Sequence, residues 1–384
     1  MNPTRLQNHA VERFVCLGAE CPDTCCKGWS MQLTAETVEQ YRAEAPELLA
    51  AVDNTPAGLI MKRDPATGGC VRLDGGSCST HRDYGDRFLG DACHFFPRVT
   101  RALGTTVMTS VSLSCPEAAR LMLFTEDAFG FSERQEVRTP YSLRNYLPDG
   151  MSEEGAVAIH HAFLNLMGDA NVTAEHSVMR VNAVARAIAM QPMSAWVDAV
   201  PLYIMMADGR IPAAEPAPAD LFNLVHALRG LIGASEDKRA SLHAVVDAMA
   251  MMLGIAFNEA GALSLAEDAS ARGVRALAIM RAQAPILQPI LRRYLQAQMA
   301  VAHFPFAGFG TTLAERASII GVRFATMKLG LATLGESPEA SDIIRVVQTI
   351  SRFMDHLGDP ALSLQIYQET CWLREPRLRA LIGD

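Results

Sequence analysis

"FVCLGAECPDTCCKGWS", residues 14–30, places Cys16, Cys21, Cys25 and Cys26 within eleven positions, the last two side by side. Four thiols this close either pair as disulfides or hold a metal, and that choice decides how the first third of the chain is read. The opening "MNPTRLQNHAVERFVC" lacks the apolar core a secretory signal needs, and no stretch runs through 18 apolar residues. A cytoplasmic location without membrane contact is therefore expected. Thiols stay reduced there, so metal ligation is the better reading.

Outward from this stretch, cysteine placement organises the whole chain. Cys16, Cys21, Cys25, Cys26, Cys70, Cys78, Cys93 and Cys115 fall within residues 16–115, and Cys371 alone occupies the remaining 269. The expected division is a Cys-rich module (1–125), a helical connecting region (126–210) and a helical bundle (220–384). The fold class is mainly α, a Cys-rich metal-binding N-terminal module followed by a helical bundle domain. With 384 residues, 49% of them apolar, the chain is globular and not disordered. A net charge of −8 argues against a nucleic-acid binder that relies on global charge.

Turn chemistry surrounds the cysteines. Gly68, Gly69, Gly75 and Gly76 flank Cys70 and precede Cys78 in "ATGGCVRLDGGSCSTH", and glycine permits tight turns. In "SCPEAARLML", Pro116 suits a first helical position and Glu117 a first turn. "LTAETVEQYRAEAPELLAAV" (33–52) reads as one helix capped by Thr34. Beyond residue 150, Ser152 caps "EEGAVAIHHAFLNLMGD" and further helical patterns follow, with little strand patterning. One of them is "PILQPILRRYLQAQMAVAHF" (285–304); "IPAAEPAPAD" (211–220) is a linker. The 19 methionines read as core filling and Cys371 as a small buried hydrophobe.

Eight thiols in the pattern C-x4-C-x3-CC, C-x7-C and two singles fit neither the ferredoxin run nor C-x3-C-x2-C, whose last cysteine would fall at Gly28. One or two 4Fe–4S clusters are favoured over two zinc ions, whose ligands usually come in close pairs. Neighbouring side chains project in different directions, so Cys25 and Cys26 serve different partners.

The segments "FVCLGAECPDTCCKGWSMQLT", "GCVRLDGGSCSTHRDYGDRFLGDACHFFPR" and "SVSLSCPEAARLML" resemble the flagellin lysine-N-methylase family, within a wider cysteine-rich group of zinc- or iron-chelating proteins. The likeness runs through all eight cysteines and Thr24, Gly28, Trp29, Pro97, Arg98 and Glu117–Arg120, and "SCPEAARL" is its more specific half. "GCVRLD" departs from the aromatic-Leu pair that often follows that cysteine. The resemblance implies methylation of flagellin lysines in the cytoplasm, with S-adenosylmethionine as donor and an iron–sulfur centre held by the eight cysteines. Catalytic roles then fall to Asp23, Tyr84 and Glu117, and donor contacts to Trp29, His94 and Arg98. His81, Asp83 and Asp91 are further polar candidates, with His81 and His94 read as donors to sulfur. A metal-binding or electron-relay protein without methyl transfer is the alternative. No Gly-rich nucleotide turn follows a strand, and "FAGFG" (306–310) reads as a helix-joining loop. His160, His161, Asp355 and His356 read as surface or satisfied core.

Overall fold

The computed structural model describes residues 4–27, 30–56, 58–134, 138–140, 143–207, 216–234, 240–258, 261–356 and 360–383. Trp29 and Gly28 lie outside these residues, as do 211–215 of the linker. The fold is mainly α.

The chain opens with strand β1 (Arg5–Asn8) and helix α1 (His9–Arg13), where the Asn8 side chain accepts from the Val11 N–H. Next comes the cysteine-bearing layer: helix α2 (Ala35–Glu44), hairpin β2 (Val52–Thr55) with β3 (Gly58–Met61), and hairpin β4 (Leu73–Asp74) with β5 (Ser77–Cys78). Helices α3 (Ser79–Tyr84) and α4 (Asp91–Phe95) complete it. Thr34 caps α2 through the Thr37 N–H, as its sequence predicts. The helix expected over 33–52 is shorter, however. Pro46 disfavours α geometry at Ala45, the chain turns there, and residues 46–51 form a 3-10 turn. Gly75 and Gly76, at φ 56° and 82°, make the turn that brings Cys78 back towards Leu73. Met31, Leu33, Tyr41, Leu48, Met61, Cys70 and Phe88 belong to the small core of this layer, with Cys26 and Cys93 at its margin.

Strands β6 (Arg98–Leu103) and β7 (Thr106–Val111) form a hairpin, and helix α5 (Pro116–Phe124) and strand β8 (Phe131–Glu133) follow. The four longer-range strands make one sheet in the order β6-β7-β1-β8, with β1 parallel to β7 and antiparallel to β8. This sheet shares the large core with the helices that follow.

Those helices are α6 (Glu153–Gly168), α7 (Ala174–Ile188), α8 (Trp196–Ala207), α9 (Pro218–Ala234) and α10 (Ala240–Leu253). Strands β9 (Ile255–Phe257) and β10 (Leu263–Leu265) interrupt them with a hairpin that the strand-poor pattern after residue 150 does not predict. Then come α11 (Ala269–Ala302), α12 (Leu313–Ala332), α13 (Ala340–Asp355), α14 (Pro360–Glu369) and α15 (Glu375–Ile382). Helix α11 begins 16 residues before the expected Pro285 and runs through Pro285 and Pro289. Its buried Leu287, Ile290, Leu291 and Leu295 outweigh the lost hydrogen bonds. Cys371 is half-exposed at φ 60°, not buried, because it follows α14 in a turn. Among the described residues no helix is long and apolar enough to cross a membrane.

Helix α13 positions the site. Ile343, Val346, Val347, Ile350 and Phe353 pack into the core, while the polar Gln348 and Arg352 are also buried, against the cysteine loop.

Candidate functional site: a thiol cluster and an arginine-walled cavity

Cys26, Cys70, Cys78 and Cys93 line one cavity of about 20 Å³, room for a single small ion or water. Backbone geometry brings them there. The Cys70 N–H bonds the Cys26 carbonyl at 2.9 Å, and the Cys70 sulfur accepts the Arg72 N–H at 3.4 Å. Cys78 leads into α3, where the Thr80 and His81 N–H groups point at its sulfur. Cys93 lies in α4.

The remaining thiols gather on the other side of the Cys25–Cys26 peptide. Cys115 sits at the N-cap of α5, its sulfur facing the Glu117 and Ala118 N–H groups, and it interacts electrostatically with Cys21 and Cys16. Cys25 lies between the two sets, hydrogen-bonded to Cys26 and within electrostatic range of Cys93 and Cys115. The two adjacent thiols thus meet in a side-chain hydrogen bond, where neighbouring side chains were expected to diverge.

All of these thiols are free. Among the described residues, no three Cys, His, Asp or Glu side chains already stand as a site that would hold a metal ion. The donor chemistry nevertheless fits one. No carboxylate lines the thiol cavity, as in all-cysteine zinc and iron–sulfur sites. Burial pushes Cys93 up to about 12 and Cys115 up to about 11, and also raises Cys21, Cys70 and Cys78. These sulfurs stay protonated until a cation compensates the charge. Cys26 departs from the rest: the hydrogen bond from Cys25 lowers its pKa, with help from the Thr24 hydroxyl and the Arg352 charge, while the same bond raises Cys25.

Arg352 is the clasp of this loop. Its side chain is 3% exposed, pairs with Asp23 at 3.0 Å and donates to the carbonyls of Thr24 (3.3 Å) and Lys27 (2.6 Å). One turn away on α13, Gln348 donates to Asp23 (2.8 Å) and to the Ser114 carbonyl (3.1 Å). Both sets of thiols are therefore anchored to a helix more than 200 residues further along the chain.

Most of the polar candidates are engaged with a neighbour. Asp23 carries the contacts just given. Tyr84 donates to Glu47 at 2.6 Å. Glu117, buried in the first turn of α5, takes both arms of Arg120 at 2.7 Å. His94 Nδ1 stands 2.9 Å from an Asp86 oxygen, at ion-pair distance without hydrogen-bond alignment, and burial lowers its pKa. Arg98 donates to the His94 carbonyl at 3.0 Å and covers the Phe14 ring. Asp83 pairs with Arg82 and Asp91 with Arg138. His81 is exposed on α3.

A second cavity, of about 520 Å³, lies where the end of α11, the following loop, α12 and the end of α13 meet β6 and Tyr146. Its charged lining is Arg101, Arg144, Arg316, Arg323 and Asp355. Phe304, Phe306, Phe309 and Tyr146 supply aromatic wall. Arg323 stacks over Phe309 at 4.5 Å, bonds Asp355 and Gln298 at 3.1 Å each, and donates to the Met354 carbonyl at 2.7 Å. Asp355 also accepts from Ser112 (3.2 Å) and Ser114 (3.3 Å), the latter one residue before Cys115, which ties the end of α13 to the segment that carries Cys115. "FAGFG" does join helices as expected, but it also lines this cavity. Sequence reasoning missed the arginines because they lie between positions 101 and 323 and share no motif. The visible signal was the aromatic-glycine run "HFPFAGFG" between two long helices.

The chain is 30% identical to a lysine-N-methylase of Salmonella typhimurium over 148 residues, 36% of this chain and 37% of that protein. It is 29% identical to a lysine-N-methylase of Salmonella choleraesuis over a similar span. It is also 30% identical to the flagellar biosynthetic protein FliU of Salmonella muenchen, over 35% of this chain and 86% of that protein. The matches thus span little more than a third of the two lysine-N-methylases. No protein-family model matches the chain, and no solved structure does.

Proposed function

The chain belongs to the lysine-N-methylase family, and on that premise we propose that it is a protein-lysine N-methyltransferase acting on flagellin, with S-adenosylmethionine as donor. The observation that carries this reading is the similarity to curated lysine-N-methylases and to nearly the whole of a flagellar biosynthetic protein. The grouped thiols are the reason for adding a metal centre to this proposal. Cys26, Cys70, Cys78 and Cys93 would hold one metal centre; their cavity has room for a single ion as it stands, so a 4Fe–4S cluster, the preference from the sequence, would require these thiols to move apart, with Cys16, Cys21, Cys25 and Cys115 available for a second centre. Such a centre, once bound, supplies either a rigid anchor for the loops or an open iron site for amino and carboxylate groups.

The reaction is a displacement. The lone pair of a neutral lysine Nζ forms a bond to the methyl carbon, the methyl carbon–sulfur bond breaks, and its electron pair stays on sulfur, leaving a neutral thioether. The product amine sheds one proton to water or a base. In-line placement and exclusion of water are what the protein must provide. Asp23 and Glu117 have their oxygens committed to Arg352, Gln348 and Arg120, so we assign them to holding the thiol loop and α5 in place. Tyr84, His94, Arg98 and Trp29 remain the candidates for direct contact on the thiol side.

The test uses full-length protein purified without oxygen. Iron and sulfide are assayed, and methyl-labelled S-adenosylmethionine is incubated with it and flagellin. Iron, sulfide and labelled lysine are expected. Iron without label favours a metal-binding or electron-relay protein. Colourless protein with stoichiometric zinc and no label points to a structural module.

A further inference from the structure

Three arginines without a counter-ion meet in one hollow. Arg101 of β6, Arg144 of the segment before Tyr146 and Arg316 of α12 line the cavity of about 520 Å³. Among the described residues none of the three pairs with a carboxylate. Asp355, the carboxylate of the lining, is engaged by Arg323 at 3.1 Å and by the Ser112 and Ser114 hydroxyls. Glu315, next to Arg316 in the chain, turns back on the Thr311 and Thr312 N–H groups in the helix cap. The lining thus holds four arginines and one aspartate; setting aside the Arg323–Asp355 pair leaves three positive charges, on a chain whose net charge is −8.

The three arginines also keep donors open. Arg101 bonds the Val301 carbonyl (2.9 Å) through Nε and the Tyr146 hydroxyl (2.8 Å) through Nη1, which leaves Nη2. Arg316 uses Nε and Nη1 on the carbonyls of Gly310, Pro305 and Phe306, which again leaves Nη2. These bonds fix both guanidinium groups in place without neutralising them. Arg144 is exposed and makes no side-chain hydrogen bond among the described residues. Burial lowers the Arg316 pKa from its ordinary value, the direction expected of a half-buried cation that lacks a counter-charge.

We propose that this cavity binds a small organic phosphate, its di- or trianionic phosphate at Arg101, Arg144 and Arg316 and its apolar or aromatic body against Phe306 and Phe309. Charge favours phosphate over a lone carboxylate. A phosphate ester or diphosphate brings several acceptor oxygens and more than one negative charge to three guanidinium groups, whereas a carboxylate brings two oxygens and one charge. Size favours an ester over the bare ion, because the cavity falls within the range of about 300–1,000 Å³ typical of small-molecule sites. The apolar lining of Phe306, Phe309, Ile319 and Ile320 suits the remainder of such a molecule. Nothing in this site depends on the methyltransferase reading, and methyl transfer is not the readout of its test.

Isothermal titration of the whole chain with ADP, pyrophosphate, citrate and adenosine, in magnesium-free buffer at about 0.1 M salt, tests the site. ADP should bind most tightly and pyrophosphate next, with no heat from adenosine. Arg144→Glu should weaken ADP about tenfold or more, with a melting curve like that of wild type because the native side chain bonds nothing. Arg144→Lys, which keeps the charge without the fork, should weaken it about threefold. Arg42→Glu, exposed on α2 and outside the cavity, should bind as wild type does. No binding of ADP or pyrophosphate to wild type, or Arg144→Glu binding ADP within about twofold of wild type, would overturn the site. Citrate binding more tightly than both phosphates would overturn the choice of phosphate, and adenosine binding as well as ADP would overturn the role of charge.

Discussion

Replacing Arg352 by Met should release the cysteine loop from the helical core. The guanidinium is 3% exposed, and it meets the Asp23 carboxylate at 3.0 Å and two backbone carbonyls, of Thr24 and Lys27. Methionine fills much of the volume but donates nothing. Breaking a buried ion pair by removing one partner costs about 3–5 kcal/mol, because the other charge is left uncompensated. Asp23 is 29% exposed and retains Gln348, which pulls the figure to the lower end. Thr24 is half-buried and Lys27 exposed, so water can take over their carbonyls and the two lost donors add under about 1 kcal/mol together. A loss of about 3–4 kcal/mol is expected overall. Arg352→Lys keeps the charge but not the fork, and should fall midway. Urea unfolding of metal-free, reduced protein measures the loss. The rate of thiol labelling reports locally, and should rise for Cys25 and Cys26 while Cys371 is unchanged. Asp23→Asn with Arg352→Met completes a double-mutant cycle, in which a coupling above about 1 kcal/mol is expected. A variant within 1 kcal/mol of wild type, with unaltered labelling of Cys25 and Cys26, would refute the clasp.

His160 and His303 stack 5.1 Å apart in the core, and burial lowers the pKa of both, of His160 to about 4. Both are neutral when folded, so their contribution is complete above the unfolded value near 6.5 and is lost as pH falls below it. Each should cost about 1.4 kcal/mol per pH unit between 6.5 and about 4, and His303→Asn, which tolerates φ 50°, should remove one share of that slope in unfolding curves measured from pH 7 to 5. Glu175 is held below the usual carboxylate range against a large burial penalty, because Lys328 lies 2.6 Å away and Gln288 donates to it. Lys328→Met should cost about 3–5 kcal/mol at pH 7 and less at pH 4.5, where Glu175 takes up a proton; equal losses in urea at both values would contradict this. Gly330 lies where α12 meets α13, and an added Cβ would stand 2.6 Å from Ile350 Cδ1 and 3.0 Å from Met249 Cε. Gly330→Ala should destabilise by about 1–3 kcal/mol in spite of alanine's better helix propensity, which a thermal melt will show.

Local signals were read from the sequence where their partners lie three or four residues away. Thr34 and Ser152 cap helices because a hydroxyl reaches the N–H three residues on, and Pro116 starts α5 because its missing donor costs nothing there. Gly75 and Gly76 turn the chain as glycine alone does readily. Strand β1 was hidden, because "RLQN" lacks a decisive alternation and its partner β7 lies a hundred residues later.

The sequence by itself determined the crowding of thiols into the first third, the helical character of the rest and most helix starts, since those depend on composition and on contacts within a turn. Tertiary structure alone decided which four thiols share a cavity, that Arg352 and Gln348 would be buried as polar anchors, and that arginines from three separate segments would converge on one hollow. Such groupings are chosen by how helices and the sheet bury their apolar faces. That burial is non-directional and long-ranged in the chain, so no short window of residues encodes its outcome.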